Sequence, residues 1–175
     1  TFDISGRDYF PEVMSGKTVI SDPVDSLATG NKIIVVAAPT YKGDARTPTG
    51  LVGVTVALTY MQDLVGSMRI GQNGYGYIQN NDMTTIAHPN NEYTGTDLIY
   101  KTAGPELREL LDRMVREEVG YGFYEFEGQD RFMSFASSQL TGWTISQAAT
   151  VEDIMSPLIG MRNISVMVTV IAIII

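Results

Sequence analysis

The chain has 175 residues, 44% of them apolar, a formal net charge of −8, one histidine and no cysteine. That length suits one ordinary domain or two small ones, and the apolar fraction supports a buried core rather than general disorder. The acidic balance argues against a nucleic-acid partner, and the absence of cysteine excludes disulfides, Cys-type zinc sites and thiol chemistry.

The first distinctive stretch is DISGRDYFPEV, Asp3 to Val13. A cation, two aromatics and a proline stand close together. This is either the wall of a small-molecule pocket or a loop capping a domain edge, with Pro11 read as a helix breaker. Thr18 to Ser21 is a short β-like run. KIIVVAA (Lys32–Ala38) and LVGVTVAL (Leu51–Leu58) are short, apolar and β-branched, so strands are expected, with Tyr41–Gly50 as the hairpin loop between them. Tyr60 to Ile70 reads as a helix, because Met61, Leu64, Val65 and Met68 recur at helical spacing and Gly71 can stop it.

A second unit begins at GYGYIQNNDMTTIAHP. Tyr75, Tyr77 and Ile78 mark a strand, Asn80 to Asp82 a turn, and Thr84 to Ala87 a return strand. Gly104–Pro105 opens a helix whose stripe is Leu107, Leu110, Leu111, Met114 and Val115; the charges opposite are a solvated face. Strands are expected at Gly122–Phe126, Arg131–Ser137 and Trp143–Gln147, then a helix from Val151 to Met161. The fold class is therefore α+β, with antiparallel sheets in two small tandem modules. The expected division is 1–70, 71–155 and 156–175.

The last twelve residues, ISVMVTVIAIII, carry no charge. As a helix they would span roughly 18 Å, against a hydrocarbon core of about 30 Å. The expectation is a membrane helix of which only the start is present, both ends of the chain being cut. A buried C-terminal strand or core helix is the other reading.

One histidine, His88, leaves no room for a multi-His metal site, and no G-x-S-x-G elbow accompanies it. It reads as a turn residue after a strand. The glycines of GQNGYG do not follow a strand and open a helix, so they read as a helix stop and a strand start. No catalytic residue, metal or cofactor is expected, and the chain is not read as an enzyme. A binding role remains. Arg7 offers a planar fork suited to a carboxylate, and Tyr9 and Phe10 could wall an apolar pocket. An ion pair of Arg7 with Asp3 or Asp8 is the equal alternative. Asp22 and Asp25 suit either a ligand amine or turn caps around Pro23.

ISGRDYFPEVMSGKTVISDPV, TGNKIIVVAAPTY, GLVGVTVAL, GQNGYGYIQNNDMTTIAHPN and GWTISQAATVEDIMSPL, in that order, resemble the double Cache sensor domain of bacterial transmembrane receptors. The resemblance covers nearly the whole chain. It implies two PAS-like modules outside the cell, a ligand in the membrane-distal one, and a homodimer anchored in the bacterial cell membrane by its C-terminal helix. The distal module would lack its N-terminal part. The ending resembles methyl-accepting chemotaxis proteins most; a histidine kinase, a diguanylate cyclase, or a ligand-free module answering a partner protein are the alternatives. In amino-acid-binding members, the arginine and aromatics correspond to Arg7, Tyr9 and Phe10. The next tyrosine would fall at Val24, the next aspartate at Ser26 with Asp25 one place off, and the amine-binding aspartate at Thr55. The resemblance thus keeps the carboxylate end of the pattern and not the ammonium end. It implies a ligand with an anionic group and no α-amine, such as a small organic acid.

Overall fold

The structure is a computed structural model and describes residues 2–156. It contains two antiparallel sheets with helices packed between and beside them.

The first sheet is centred on β3 (Lys32–Thr40). One edge of β3 pairs along its length with β4 (Gly50–Ala57). The other edge is shared by two short strands, β1 (Val19–Ile20) and β2 (Val24–Asp25). β1 pairs Val19 with Ala37 and Ile20 with Val36, whereas β2 pairs Val24 with Ile33 and Asp25 with Lys32. Three residues, Ser21 to Pro23, therefore face two on β3, a slip of one residue. The Ser21 hydroxyl accepts the Val35 N–H at 2.9 Å, which keeps the ladder satisfied across the break.

The slip has a packing consequence. Side chains alternate faces along a strand, so residues five apart should point to opposite sides. Val19 and Val24 nevertheless pack in the same cluster, with Tyr9, Val13, Val35 and Ala37. The extra residue returns Val24 to that face.

α1 (Tyr9–Met14) covers this face. It is a helix where Pro11 had been expected to break one. Pro11 sits in the first turn, where the backbone N–H has no intrahelical partner, so the ring costs the helix nothing there. Tyr9 and Val13, four residues apart, are the buried pair.

α2 (Leu58–Ser67) leaves β4 without a loop, two residues earlier than the sequence suggests and ending three earlier. Leu58 and Val65 are buried, with Met61 and Met68 packed beside them, while Leu64 is exposed. The apolar stripe is thus rotated away from Leu64. Its core includes Ile34 of the first sheet with Ile78, Ile86, Ala87 and Trp143 of the second region, so α2 lies between the two sheets.

The second sheet runs β6-β5-β9-β8-β7 in space. Its strands are β5 (Tyr75–Gln79), β6 (Thr85–Ala87), β7 (Val119–Phe126), β8 (Gln129–Ser137) and β9 (Thr144–Thr150). Between β6 and β7 stand α3 (Leu98–Thr102), not anticipated from the sequence, and α4 (Pro105–Met114). Leu107, Leu110, Leu111 and Met114 bury against Tyr77, Tyr124, Met133 and Phe135. Val115 lies past the helix end and is exposed, so it does not belong to the stripe. β7 and β8 are joined by Glu127 and Gly128, both at positive φ, the two-residue turn that matches strand twist.

His88 follows β6 directly, where its Nδ1 accepts the Asn90 N–H at 2.9 Å, and its ring is buried, 4% exposed. Tyr75, Tyr93 and Tyr77 pack around its ring, with centroids at 5.0, 4.8 and 5.8 Å. Residues 151–156 form a helix directly after β9. Its Asp153 Oδ2 accepts the Asn73 N–H at 2.7 Å, tying the helix to the turn that precedes β5. No described helix is long and apolar enough to cross a membrane. The expected membrane segment lies outside the described residues.

Candidate functional site

The α1 face of the first sheet carries a concavity of about 290 Å³. Its strand residues are Leu51, Gly53 and Thr55 of β4 with Ile33 and Val35 of β3, Thr55 standing directly across from Val35. Val24, Asp25 and Ser26 bound it along the slipped strand, and Arg7 and Tyr9 close it from the α1 side. Six of the seven residues singled out from the sequence thus stand together. The register slip is what places Val24 there.

Phe10 is not among the lining residues. One step along a helix turns a side chain by about 100°, so Tyr9 and Phe10 cannot both face the sheet. Tyr9 takes the buried position, 8% exposed.

Arg7 is half-buried, and its Nη2 donates to the Asp25 carbonyl at 2.6 Å. That bond fixes the guanidinium beside the cavity. Among the described residues Arg7 forms no ion pair with Asp3 or Asp8. Asp3 is occupied elsewhere: its Oδ1 accepts the Ser5 N–H at 2.9 Å, which holds the carboxyl below its ordinary range.

Asp25 contributes its carbonyl to Arg7, while its carboxylate pairs with Lys32 Nζ at 2.9 Å in solvent. Asp22 is engaged by side chains of the second region. Its Oδ1 accepts the Trp143 indole N–H at 2.8 Å and its Oδ2 accepts the Asn80 side-chain amide at 3.0 Å. No sequence signal links positions so far apart; the long-range contact appears only in the fold.

The cavity is mainly apolar, with Phe2, Ile4, Leu27 and Leu51 among its walls. Its polar features are few: a positioned guanidinium, the Ser26 hydroxyl and the Thr55 hydroxyl. Ser26 Oγ already accepts from the Ala28 and Thr29 N–H groups at 3.3 Å each. The arrangement suits a small molecule with one anionic end and an apolar body. Among the described residues no cluster has the makeup of a metal site.

Residues 1–158 match the family model described as a Cache domain. Methyl-accepting chemotaxis protein TlpA of Bacillus subtilis is 29% identical over 148 residues, covering 83% of this chain and 20% of that protein. McpA of the same organism is 27% identical over 150 residues, covering 85% and 21%. PctB of Pseudomonas aeruginosa is 23% identical over 173 residues, covering 95% and 25%. The chain therefore spans about a fifth to a quarter of the length of these curated relatives. Among solved structures, the PctB ligand-binding domain in complex with L-Arg superimposes with a TM-score of 0.69 at 21% identity, covering 93% of this chain and 62% of that one. The ligand-binding domain of the Pseudomonas fluorescens chemoreceptor CtaA with L-isoleucine gives 0.68 at 19%, covering 89% and 61%. The extracellular domain of a putative histidine kinase, mmHK1S-Z2, gives 0.70 at 18%, covering 86% and 57%. These likenesses establish a shared fold.

Proposed function

The chain belongs to the Cache domain family, and on that premise we propose that it is the extracytoplasmic sensing part of a bacterial chemoreceptor. Its first sheet is the membrane-distal module and takes the ligand. Its second sheet is the membrane-proximal module, from which the terminal helix leads toward the bilayer. Two copies would pair, and ligand binding would bias the relation between the sheets and shift that helix.

One observation carries the ligand reading: Arg7, held by the Asp25 carbonyl, stands at the edge of an otherwise apolar concavity. A planar guanidinium pairs with a carboxylate through two parallel bonds. Among the described residues the cavity offers no free carboxylate for an amine, since Thr55 stands on β4 and the Asp25 side chain pairs with Lys32. We therefore infer a small organic acid rather than an α-amino acid at this cavity, although PctB and CtaA are solved with amino acids.

Thermal unfolding with small organic acids, amino acids and amines tests this. Ligand at about 100 times its dissociation constant should stabilise the fold by roughly 2.7 kcal/mol. An organic acid should raise the midpoint in the parent chain and not in Arg7→Ala. A response to amino acids alone, or one unchanged by Arg7→Ala, would sink the assignment.

A further inference from the structure

Resting on the organic-acid reading of the Arg7 cavity, we propose that its ligand is an aliphatic monocarboxylate of about six to eight carbons, with Gly53 setting the length.

Charge fixes the number of carboxylates. Among the described residues Arg7 is the only cation lining the cavity. Lys32 is occupied outside it, by the Asp25 carboxylate. One guanidinium can pair with one carboxylate through two parallel bonds. A second carboxylate on the same ligand would lie against Ile33, Val35 and Leu51, and an unpaired charge is costly to desolvate. The net charge of −8 further disfavours a dianion.

The floor of the cavity fixes the length. It crosses three strands, from Val24 on β2 over β3 to Thr55 and Gly53 on β4. Val24 pairs with Ile33 and Thr55 with Val35, so the two positions differ by two strand spacings and two residue steps. At about 4.8 Å per spacing and about 3.3 Å per step, they stand roughly 12 Å apart. Arg7 is tied to the β2 end through the Asp25 carbonyl. A carboxylate held there sends its chain toward β4. An extended acid of six to eight carbons measures roughly 6–9 Å between its end carbons, which crosses the floor with contact distance left at each end. Acetate would reach the guanidinium and leave the β4 side unfilled.

Gly53 stands where that chain would end. A Cβ there would meet only Val35 Cγ1 at 3.6 Å and the Val36 carbonyl at 3.7 Å, so the space over the glycine is open. Glycine weakens a strand interior and often marks a bulge or the close approach of a ligand. β3 and β4 pair through Gly53 without a shift in register, which leaves the second cause.

Titration calorimetry on the full chain tests this with acetate, butanoate, hexanoate, octanoate, decanoate, octanedioate and 1-octanol. Affinity should rise about two- to four-fold per methylene up to octanoate and level off at decanoate. Octanedioate should bind at least about ten-fold more weakly than octanoate, and 1-octanol should not displace octanoate. Gly53→Val should weaken octanoate about ten-fold and leave butanoate within about two-fold. If that variant does not fold, Gly53→Ala, whose added Cβ makes only ordinary contacts, replaces it with an expected loss of about three-fold for octanoate. Acetate binding as tightly as octanoate, equal affinity for octanedioate, displacement by 1-octanol, or an unchanged length profile in the Gly53 variant would each overturn the proposal while leaving a carboxylate at Arg7. No binding by any acid, or binding unaffected by Arg7→Ala, would overturn the organic-acid reading with it.

Discussion

The Trp143 indole N–H donates to Asp22 Oδ1 across 2.8 Å, joining residues 121 positions apart and the two sheets of the fold. Trp143 also packs with Ile34 and Leu58, so the polar contact sits at the edge of the core that spans both sheets. Asp22→Ala and Trp143→Phe should each cost about 1–2 kcal/mol in urea unfolding. A double-mutant cycle should return a coupling of at least about 0.5 kcal/mol. Strict additivity would mean the bond is absent in solution.

Gly71 and Asp153 form the other long-range joint. Gly71 has φ +62, and a Cβ there would lie 2.6 Å from the Asp153 Cβ. Gly71→Ala should therefore destabilise by about 1–3 kcal/mol, through both backbone strain and displacement of the terminal helix. Limited proteolysis should detect faster cleavage near 151–156. An alanine variant as stable as the parent would show that the helix does not dock there.

His88 should make stability fall in mild acid. Burial pushes its pKa down to about 4, against about 6.5 in an unfolded chain. Between those values the unfolded state binds more protons, so stability is fully present above pH 6.5 and declines as pH falls toward 4. The loss should approach on the order of 3 kcal/mol. Chemical unfolding of the parent and His88→Gln from pH 7 to pH 4.5 isolates this contribution from that of the carboxylates. Parallel pH profiles would contradict it.

Gly53 gives a way to fill the first cavity without touching Arg7. A Cβ there meets Val35 Cγ1 at 3.6 Å, an ordinary contact, on the lining face of β4. Gly53→Val should reduce the midpoint shift produced by an organic acid while changing unliganded stability by about 0.5 kcal/mol or less. Undiminished binding would place the ligand elsewhere.

Thr55 tests the missing ammonium end. Thr55→Asp adds a carboxylate to the same face, across from Val35. It should raise affinity for α-amino acids at least several-fold in a titration. No gain would show that Thr55 is not the position where an amine arrives.

The long strands were legible because β-branched apolar runs bounded by turn residues leave little alternative, as in β3 and β4. α4 was legible for the same kind of reason, its leucines repeating at helical spacing behind Gly104–Pro105. α1 was missed because Pro11 reads as a breaker until its place in the first turn is known. The lining set around Arg7 came from resemblance, and only the fold shows that Phe10 faces away from it. Arg131 looked like the start of a strand. It is buried, 6% exposed, and the Tyr75 ring over its guanidinium is a contact that local spacing does not reveal.

The break at Ser21–Pro23 lets one strand hold two settings. Removing a single residue there would leave Val19 and Ile20 paired with Val36 and Ala37, yet rotate everything that follows by half a turn. The Val24 and Ser26 side chains would turn out of the cavity, and the Asp25 carboxylate, which now pairs with Lys32 outside it, would turn inward toward the ligand. Recognition in such a domain is thus open to change by an indel, at the expense of the place of Val24 in the core beneath α1.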